Sequence, residues 1–419
     1  MADFYHAGTI TTLHRLGKPK TERLLAELEL YSLVRPIALV LPALYSDVIS
    51  EAMKGIREEL KGARFIREVV LVLGPATDDE YRNVKEFMSV LPHEVTIIHT
   101  SGKRMRELYS TLEQKGVSPG KDGKGRSAWT AYGYVIASGK SSIIALHDCD
   151  IQNYSLDLLG RLCYPVVSPT LDFAFCKGYY ARITDRMHGR VTRLFLTPLV
   201  RALQKMVVNQ PFIDFLDGFR YPLAGEFSMT VDVARINRIP WDWGLEVGML
   251  AEVYRNYTTK RVCQVDIAEN YEHKHQILSA EDPSTGLMKM SIDIAKSIFR
   301  TVASEGVVFS DGFFKSLMAA YLRMAEDSIV KYESDAAING LFYDRHEEAA
   351  MVDAFTRSIM EAAKTIGESP LGAPMIPNWN RVISATPGIL ERLKAVIEED
   401  NKLAFSAASR PPQENSQAQ

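Results

Sequence analysis

The chain has 419 residues, 46% hydrophobic and 24% charged, with 49 Lys and Arg against 52 Asp and Glu for a formal net charge of −3. Such a composition suits two folded domains, or one large domain with an extension, and excludes general disorder. It also argues against broad electrostatic attraction to nucleic acid or an anionic membrane.

Cys149, Cys163, Cys176 and Cys263 lie far apart without CxxC spacing, which points to a reducing compartment rather than a disulfide framework. The first residues, MADFYHAGTITTLHRLGKPK, lack the charged-then-apolar order of a leader, and no apolar run reaches ~18 residues. A soluble, cytoplasmic protein without membrane insertion is expected.

In chain order, positions 37–44 (IALVLPAL) form a near-continuous apolar run, as expected for a parallel strand covered on both faces. A helical pattern, DVISEAMKGIREEL, separates it from a second strand at 68–75, and a further helical stretch separates that from a third at 95–101. Alternation at this spacing predicts a parallel α/β sheet with right-handed crossovers. After a helix over 104–114 come the loop GVSPGKDGKG, the helical RSAWTAYGYVIASG and a fourth apolar strand running into HDCD. Positions 171–272 read as mixed α and β with aromatic-rich loops. Beyond 281 only amphipathic helical patterns remain. The predicted division is an N-terminal arm (1–30), a catalytic α/β domain (31–280), a helical extension (281–403) and a disordered tail (404–419). The apolar stripes of the extension need a partner, either the catalytic domain or a second subunit, and a homodimer is expected.

Asp148 and Asp150, at the carboxyl end of an apolar strand, can serve a hard divalent cation that shares oxygen ligands with phosphates. A solvated capping turn would read the same way. The loop 120–127 (GKDGKGRS) narrowly misses a P-loop, yet glycines beside Lys124 at a helix start suit close approach to a phosphate. The run HGRVTR (188–193) places Gly189, Arg190 and Thr192 at a helix opening, where an arginine can grip an anion with two prongs, or where Thr192 can be a plain cap. His273 and His275 in EHKHQ are candidate ligands, one of them enough to complete a metal site begun by the aspartates. The stretches LAGE (223–226) and WDWGLEVG (241–248) combine aromatics and acids that suit sugar faces and hydroxyls, although core packing explains the tryptophans equally well.

Taken in order, VLPAL, GKGRSAW, ALHDCDI, KGYYAR to HGRVTRLFLTPL, PLAGEF, WGLEVGML and EHKH resemble the retaining glycosyltransferases of the GT-A fold, in particular the glucosyl-3-phosphoglycerate synthases and the related mannosyl-3-phosphoglycerate synthases. The resemblance covers positions 35–276. It implies a mainly parallel sheet with flanking helices, a UDP-sugar donor (UDP-glucose, with GDP-mannose as the alternative), a phosphorylated small-acid acceptor (3-phosphoglycerate), Mg²⁺ or Mn²⁺, and a product of the compatible-solute kind. It further implies that Pro42, Ala43 and Leu44 line the uridine pocket, with Lys124 near the donor and Asp148 near the ribose. Asp150 and His273 would hold the metal. Leu223, Ala224, Gly225 and Glu246 would surround the sugar, and Gly189, Arg190, Thr192 and His275 would meet the acceptor. Asp150, Glu246 and Lys124 are the implied catalytic residues, and Lys124, Arg126 and Arg190 the implied positive charge for two anionic substrates. Tyr45-Ser46-Asp47 stands where relatives carry Asn-Glu. A sugar nucleotidyltransferase and an inactive nucleotide-sugar sensor are the rival readings.

Overall fold

A computed structural model describes residues 8–17, 20–272, 286–369 and 375–408, with side chains to position 402. Its sheet has eight strands: β1 (Thr11–Leu13), β2 (Ile37–Ala43), β3 (Ile66–Leu73), β4 (Glu94–His99), β5 (Ile143–Leu146), β6 (Phe175–Tyr180), β7 (Phe227–Thr230) and β8 (Val262–Ala268). They lie in the order β1-β8-β6-β7-β5-β2-β3-β4. All neighbours are parallel except β7, which runs antiparallel to β5 and β6. The strands are apolar on both faces because both faces are covered. Ala38, Val40, Val70 and Val72 join one core cluster, while Leu39, Leu41, Val69 and Leu71 join the other, the period-2 split of a sandwiched sheet.

Two boundaries drawn from the sequence move. Residues 8–17 and 20–30 form no separate arm: β1 pairs with β8, and the helix Thr21–Ser32 packs on the helix Leu156–Val167. Buried Asp157 ties this stretch down, accepting from Thr21 Oγ1 at 2.9 Å and pairing with Arg15 at 2.9 Å. A three-residue strand reading TTL carries too little periodicity to be recognised locally.

The helical C-terminal part is no appendage either. Its helices Gly286–Ser304, Asp311–Asn339, Arg345–Glu368, Trp379–Ala385 and Ile389–Ala408 put Phe299, Tyr321, Phe355, Trp379 and Leu393 into the same cluster as the sheet's Val40 and Val72. Trp379 stacks on Trp129 at 4.2 Å and donates its indole N–H to the Trp129 carbonyl at 3.0 Å. Gly133 makes room: a β-carbon there would stand 2.0 Å from the Trp379 ring. Asn401 bonds both the N–H and the C=O of Ile97, covering the exposed edge of β4. The apolar stripes thus find their partner within the chain, and the fold does not call on a second subunit to cover them. The last helix also continues to Ala408, past the predicted start of the tail. All four cysteines are buried and free. No helix among the described residues is long and apolar enough to cross a membrane.

Candidate active site

A cleft of about 1010 Å³ opens at the carboxyl ends of β2, β3 and β5, where ligands of open α/β sheets gather. Pro42 and Ala43 at the end of β2 and Leu44 just beyond it form one wall, with Gly74 and Pro75 after β3 beside them. Asp47, in the position that departs from the family pattern, accepts from the Leu44 N–H at 3.1 Å and so fixes this turn.

Asp148 and Asp150 follow β5 into the cleft. Between them and the strand, His147 is fully buried, and its Nδ1–H donates to the Asp148 carbonyl at 2.8 Å, leaving Nε2 to accept from the Tyr154 hydroxyl at 3.0 Å. Burial pushes this imidazole down to about 4 against the pull of Asp148, so it is a neutral brace. Lys124 begins the helix Lys124–Ser138 and bridges Asp148 (2.6 Å) and Glu246 (3.2 Å). Burial disfavours its ammonium, but Asp148 and Glu246 outweigh burial and hold it charged. Gly225 lies over this bridge, where a β-carbon would meet Asp148 Oδ2 at 2.5 Å and Lys124 Nζ at 2.9 Å.

Glycines of the 120–127 loop are packed closely against protein backbone. A β-carbon on Gly125 would stand 2.0 Å from the Pro240 carbonyl oxygen, and one on Gly120 2.8 Å from Trp241 Cβ. Their close approach is to the Pro240–Trp241 backbone, which brings Trp241 to the cleft wall. The start of the helix still opens on the cleft through Gly123, Lys124 and Ser127. Arg126 does not: it pairs with Asp122 at 2.5 Å, lies over the Tyr109 ring and is not among the lining residues.

Beneath the bridge, Glu226 is almost fully buried and accepts from Tyr180 at 2.7 Å and from Tyr271. The two tyrosine rings stack at 3.8 Å. Burial and the nearby Asp148 raise the Glu226 carboxyl above the usual range, against the two hydroxyls. Asp150 is pushed up to about 7 by burial, then by Asp148 and Glu226. Carboxylates this crowded around one lysine are a favourable setting for a divalent cation, and oxygen donors suit Mg²⁺ or Mn²⁺. Among the described residues no group of three or more His, Cys, Asp or Glu side chains forms a complete metal set. His273 and His275 lie outside the described residues.

At the far end, Gly189, Arg190 and Thr192 line the cleft. Thr192 is no N-cap: Arg190 precedes a π-helical turn, Val191–Leu196, that runs into the helix Thr197–Met206, a distortion often found at functional sites. Arg190 is already gripped, by Glu347 and Glu348 of the C-terminal helices. Leu223 and Gly225 line the cleft, but Ala224 is fully buried and not among the lining residues, its N–H closing a turn onto the Tyr221 carbonyl.

No family model matches the chain. A glucosyl-3-phosphoglycerate synthase of Persephonella marina is 47% identical over 401 residues, covering 96% of this chain and 99% of that relative. The chain belongs to the glucosyl-3-phosphoglycerate synthases. A second synthase, of Methanococcoides burtonii, is 41% identical over 96% of this chain and 98% of its own length. The glucosyl-3-phosphoglycerate synthase of Mycobacterium tuberculosis, solved with Mn²⁺, UDP-glucose and phosphoglyceric acid, shares the fold at 20% identity, with a TM-score of 0.50 over 72% of this chain and 89% of that one. Its complex with Mg²⁺ and UDP gives a TM-score of 0.51. Among the cleft residues of this chain, Tyr180, Tyr271, Arg182 and Tyr221 carry no local sequence signal that singles them out, whereas Trp241 falls in the aromatic stretch WDWGLEVG. Arg182 donates to the Tyr221 hydroxyl at 3.1 Å. Their chemistry depends on one another across the fold, and only the run KGYYAR hints at two of them.

Proposed function

We propose that this chain transfers glucose from UDP-glucose to 3-phosphoglycerate with retention at the anomeric carbon, giving glucosyl-3-phosphoglycerate. The 47% identity over 96% of the chain to a protein of that name carries the reading. The cleft supports it: one end gathers acids and a lysine at the strand ends, the other holds an arginine at a helical turn, and the volume suits two substrates side by side.

In this reading Pro42, Ala43 and Leu44 face the uridine and Asp148 the ribose. Asp150 and His273 hold Mg²⁺ or Mn²⁺, which when bound supplies charge neutralisation for the leaving diphosphate. Lys124, kept charged by Asp148 and Glu246, adds a fixed positive charge on the donor side. Leu223, Gly225 and Glu246 enclose the sugar, Glu246 accepting from its hydroxyls. Gly189, Arg190, Thr192 and His275 hold the acceptor so that its hydroxyl attacks on the face the diphosphate leaves. The bond from the anomeric carbon to the phosphate oxygen breaks, the bond to the acceptor oxygen forms, and the acceptor proton passes to the departing phosphate. A cytoplasmic setting and a compatible-solute product belong to the same reading.

The test is a screen of UDP-glucose and GDP-mannose against 3-phosphoglycerate and glycerate, with Mg²⁺ or Mn²⁺ and after chelation. Metal-dependent transfer from UDP-glucose to 3-phosphoglycerate is expected. Preferred use of GDP-mannose would overturn the choice of sugar, and pyrophosphate release from UTP and glucose 1-phosphate without transfer would favour the nucleotidyltransferase.

A further inference from the structure

Arg190 meets two consecutive carboxylates from the first turn of the helix Arg345–Glu368. Its Nε donates to Glu348 Oε1 at 2.8 Å and its Nη2 to Glu347 Oε2 at 2.8 Å. The carboxylates differ in their surroundings. Glu348 is 4% exposed and is shared with Arg193, whose Nη1 lies 2.9 Å from Oε2. Arg193 is held in turn by the His188 carbonyl and lies over the Tyr332 ring. That arrangement is a buried, mutually satisfied pair, costly to take apart.

Glu347 is 46% exposed, lines the cleft, and among the described residues its ion pair is with Arg190. The helix cap next to it does not need its side chain, since Asp344 accepts from the Glu347 backbone N–H. Charge arithmetic then separates two states. With Glu347 in place, two arginines face two carboxylates and the group is neutral. With Glu347 swung into solvent, the group carries one net positive charge, aimed into the cleft from the Nη2 edge of a guanidinium whose Nε edge stays fixed on Glu348.

We infer that Glu347 is an internal stand-in for the anionic group of the acceptor and sets acceptor affinity by exchange with it on Arg190. This rests on the reading that Arg190 meets the acceptor. A half-exposed ion pair is weak and cheap to break, whereas a phosphate dianion on a guanidinium makes stronger, charge-assisted bonds. The exchange therefore favours the acceptor while keeping the unliganded arginine paired. Glu348 positions the guanidinium throughout and is not displaced.

The test measures initial rates of the whole enzyme with Glu347→Gln, Arg190→Ala and the double variant, with inorganic phosphate as a competing probe. Glu347→Gln should lower the KM for 3-phosphoglycerate and the inhibition constant of phosphate by about threefold to fivefold, the weight of one half-exposed ion pair. The KM for UDP-glucose should not follow, and the gain should vanish when Arg190 is Ala. An unchanged or raised acceptor KM in Glu347→Gln, with Arg190→Ala still raising it, overturns the exchange alone. An acceptor KM indifferent to Arg190→Ala overturns the underlying reading of Arg190 as well. A gain that persists without Arg190 shows that Glu347 acts by general charge and not by occupying the arginine.

Discussion

In the proposed reading, the donor end of the cleft and its acceptor end are built differently. Around Lys124, Asp148 and Asp150 the charged groups sit directly on strand ends and a helix start, and the spacing is held by glycines that tolerate no methyl group. Around Arg190 the partners come from a helix 157 and 158 positions further along the chain. One end is anchored on strand ends and helix starts around the buried Glu226 and is locked by the close packing of Gly225. The other is completed by long-range packing and retains a half-exposed carboxylate that can leave. On the proposed reading, tight packing then lies where the donor's charge is neutralised, and exchange where the acceptor's anion comes and goes.

Several changes would break or sharpen that contrast. The largest effect is expected from Asp150→Asn, which should reduce kcat by roughly a thousandfold because a lost carboxylate undoes several kcal/mol of charge compensation at the diphosphate. Turnover assayed with Mg²⁺ or Mn²⁺ and after chelation checks this. Activity indifferent to both the variant and the chelator would remove the donor end from the chemistry.

Next is Lys177, buried on β6, whose Nζ has no hydrogen-bond partner among the described residues. Burial lowers its ammonium to about 8 from 10.5, against Glu246 and Glu226. A folded value below the unfolded one means that the charge penalises the fold below pH 8 and that the penalty fades as pH rises toward 10.5. The stability advantage of Lys177→Met over the parent in urea unfolding should therefore shrink by about 3 kcal/mol across that window. A pH-independent difference would show that this end is not as desolvated as its burial indicates. Gly225→Ala should displace Asp148 and Lys124 and lower kcat/KM about a hundredfold, the usual cost of misplacing reacting groups by about 1 Å. Near-normal kinetics with unchanged melting temperature would mean that the donor end yields more than its packing implies.

The same contrast governs what is legible in the amino-acid sequence. Strands β2 to β5 announce themselves because both faces are buried and each run is apolar throughout. Lys124, Asp148, Asp150 and Glu246 are legible as candidates because they stand at a helix start, a strand end and a helix start again, and the roles proposed for them come from the family resemblance. Arg190 is legible as a candidate for binding an anion, but its pairing with Glu347 and Glu348 is not, since no local period links positions so far apart. The glycines of 120–127 are legible as suiting a close approach, but the Pro240–Trp241 backbone that crowds Gly120 and Gly125 is invisible in sequence. The C-terminal helices read as an extension for a similar reason. Their apolar stripes are evident, but the stripes do not reveal that Trp379 stacks on Trp129 within the same chain.

The division of the cleft into a fixed donor end and an exchanging acceptor end is tested most directly by Arg190→Ala, with UDP-glucose binding followed by calorimetry in the presence of Mn²⁺ and acceptor dependence by initial rates. Loss of a charged hydrogen-bond donor, worth about 2 kcal/mol, should raise the KM for 3-phosphoglycerate by about thirtyfold, while the dissociation constant for UDP-glucose stays within about twofold of the parent. Equal losses for donor and acceptor, or an unchanged acceptor KM, would contradict it.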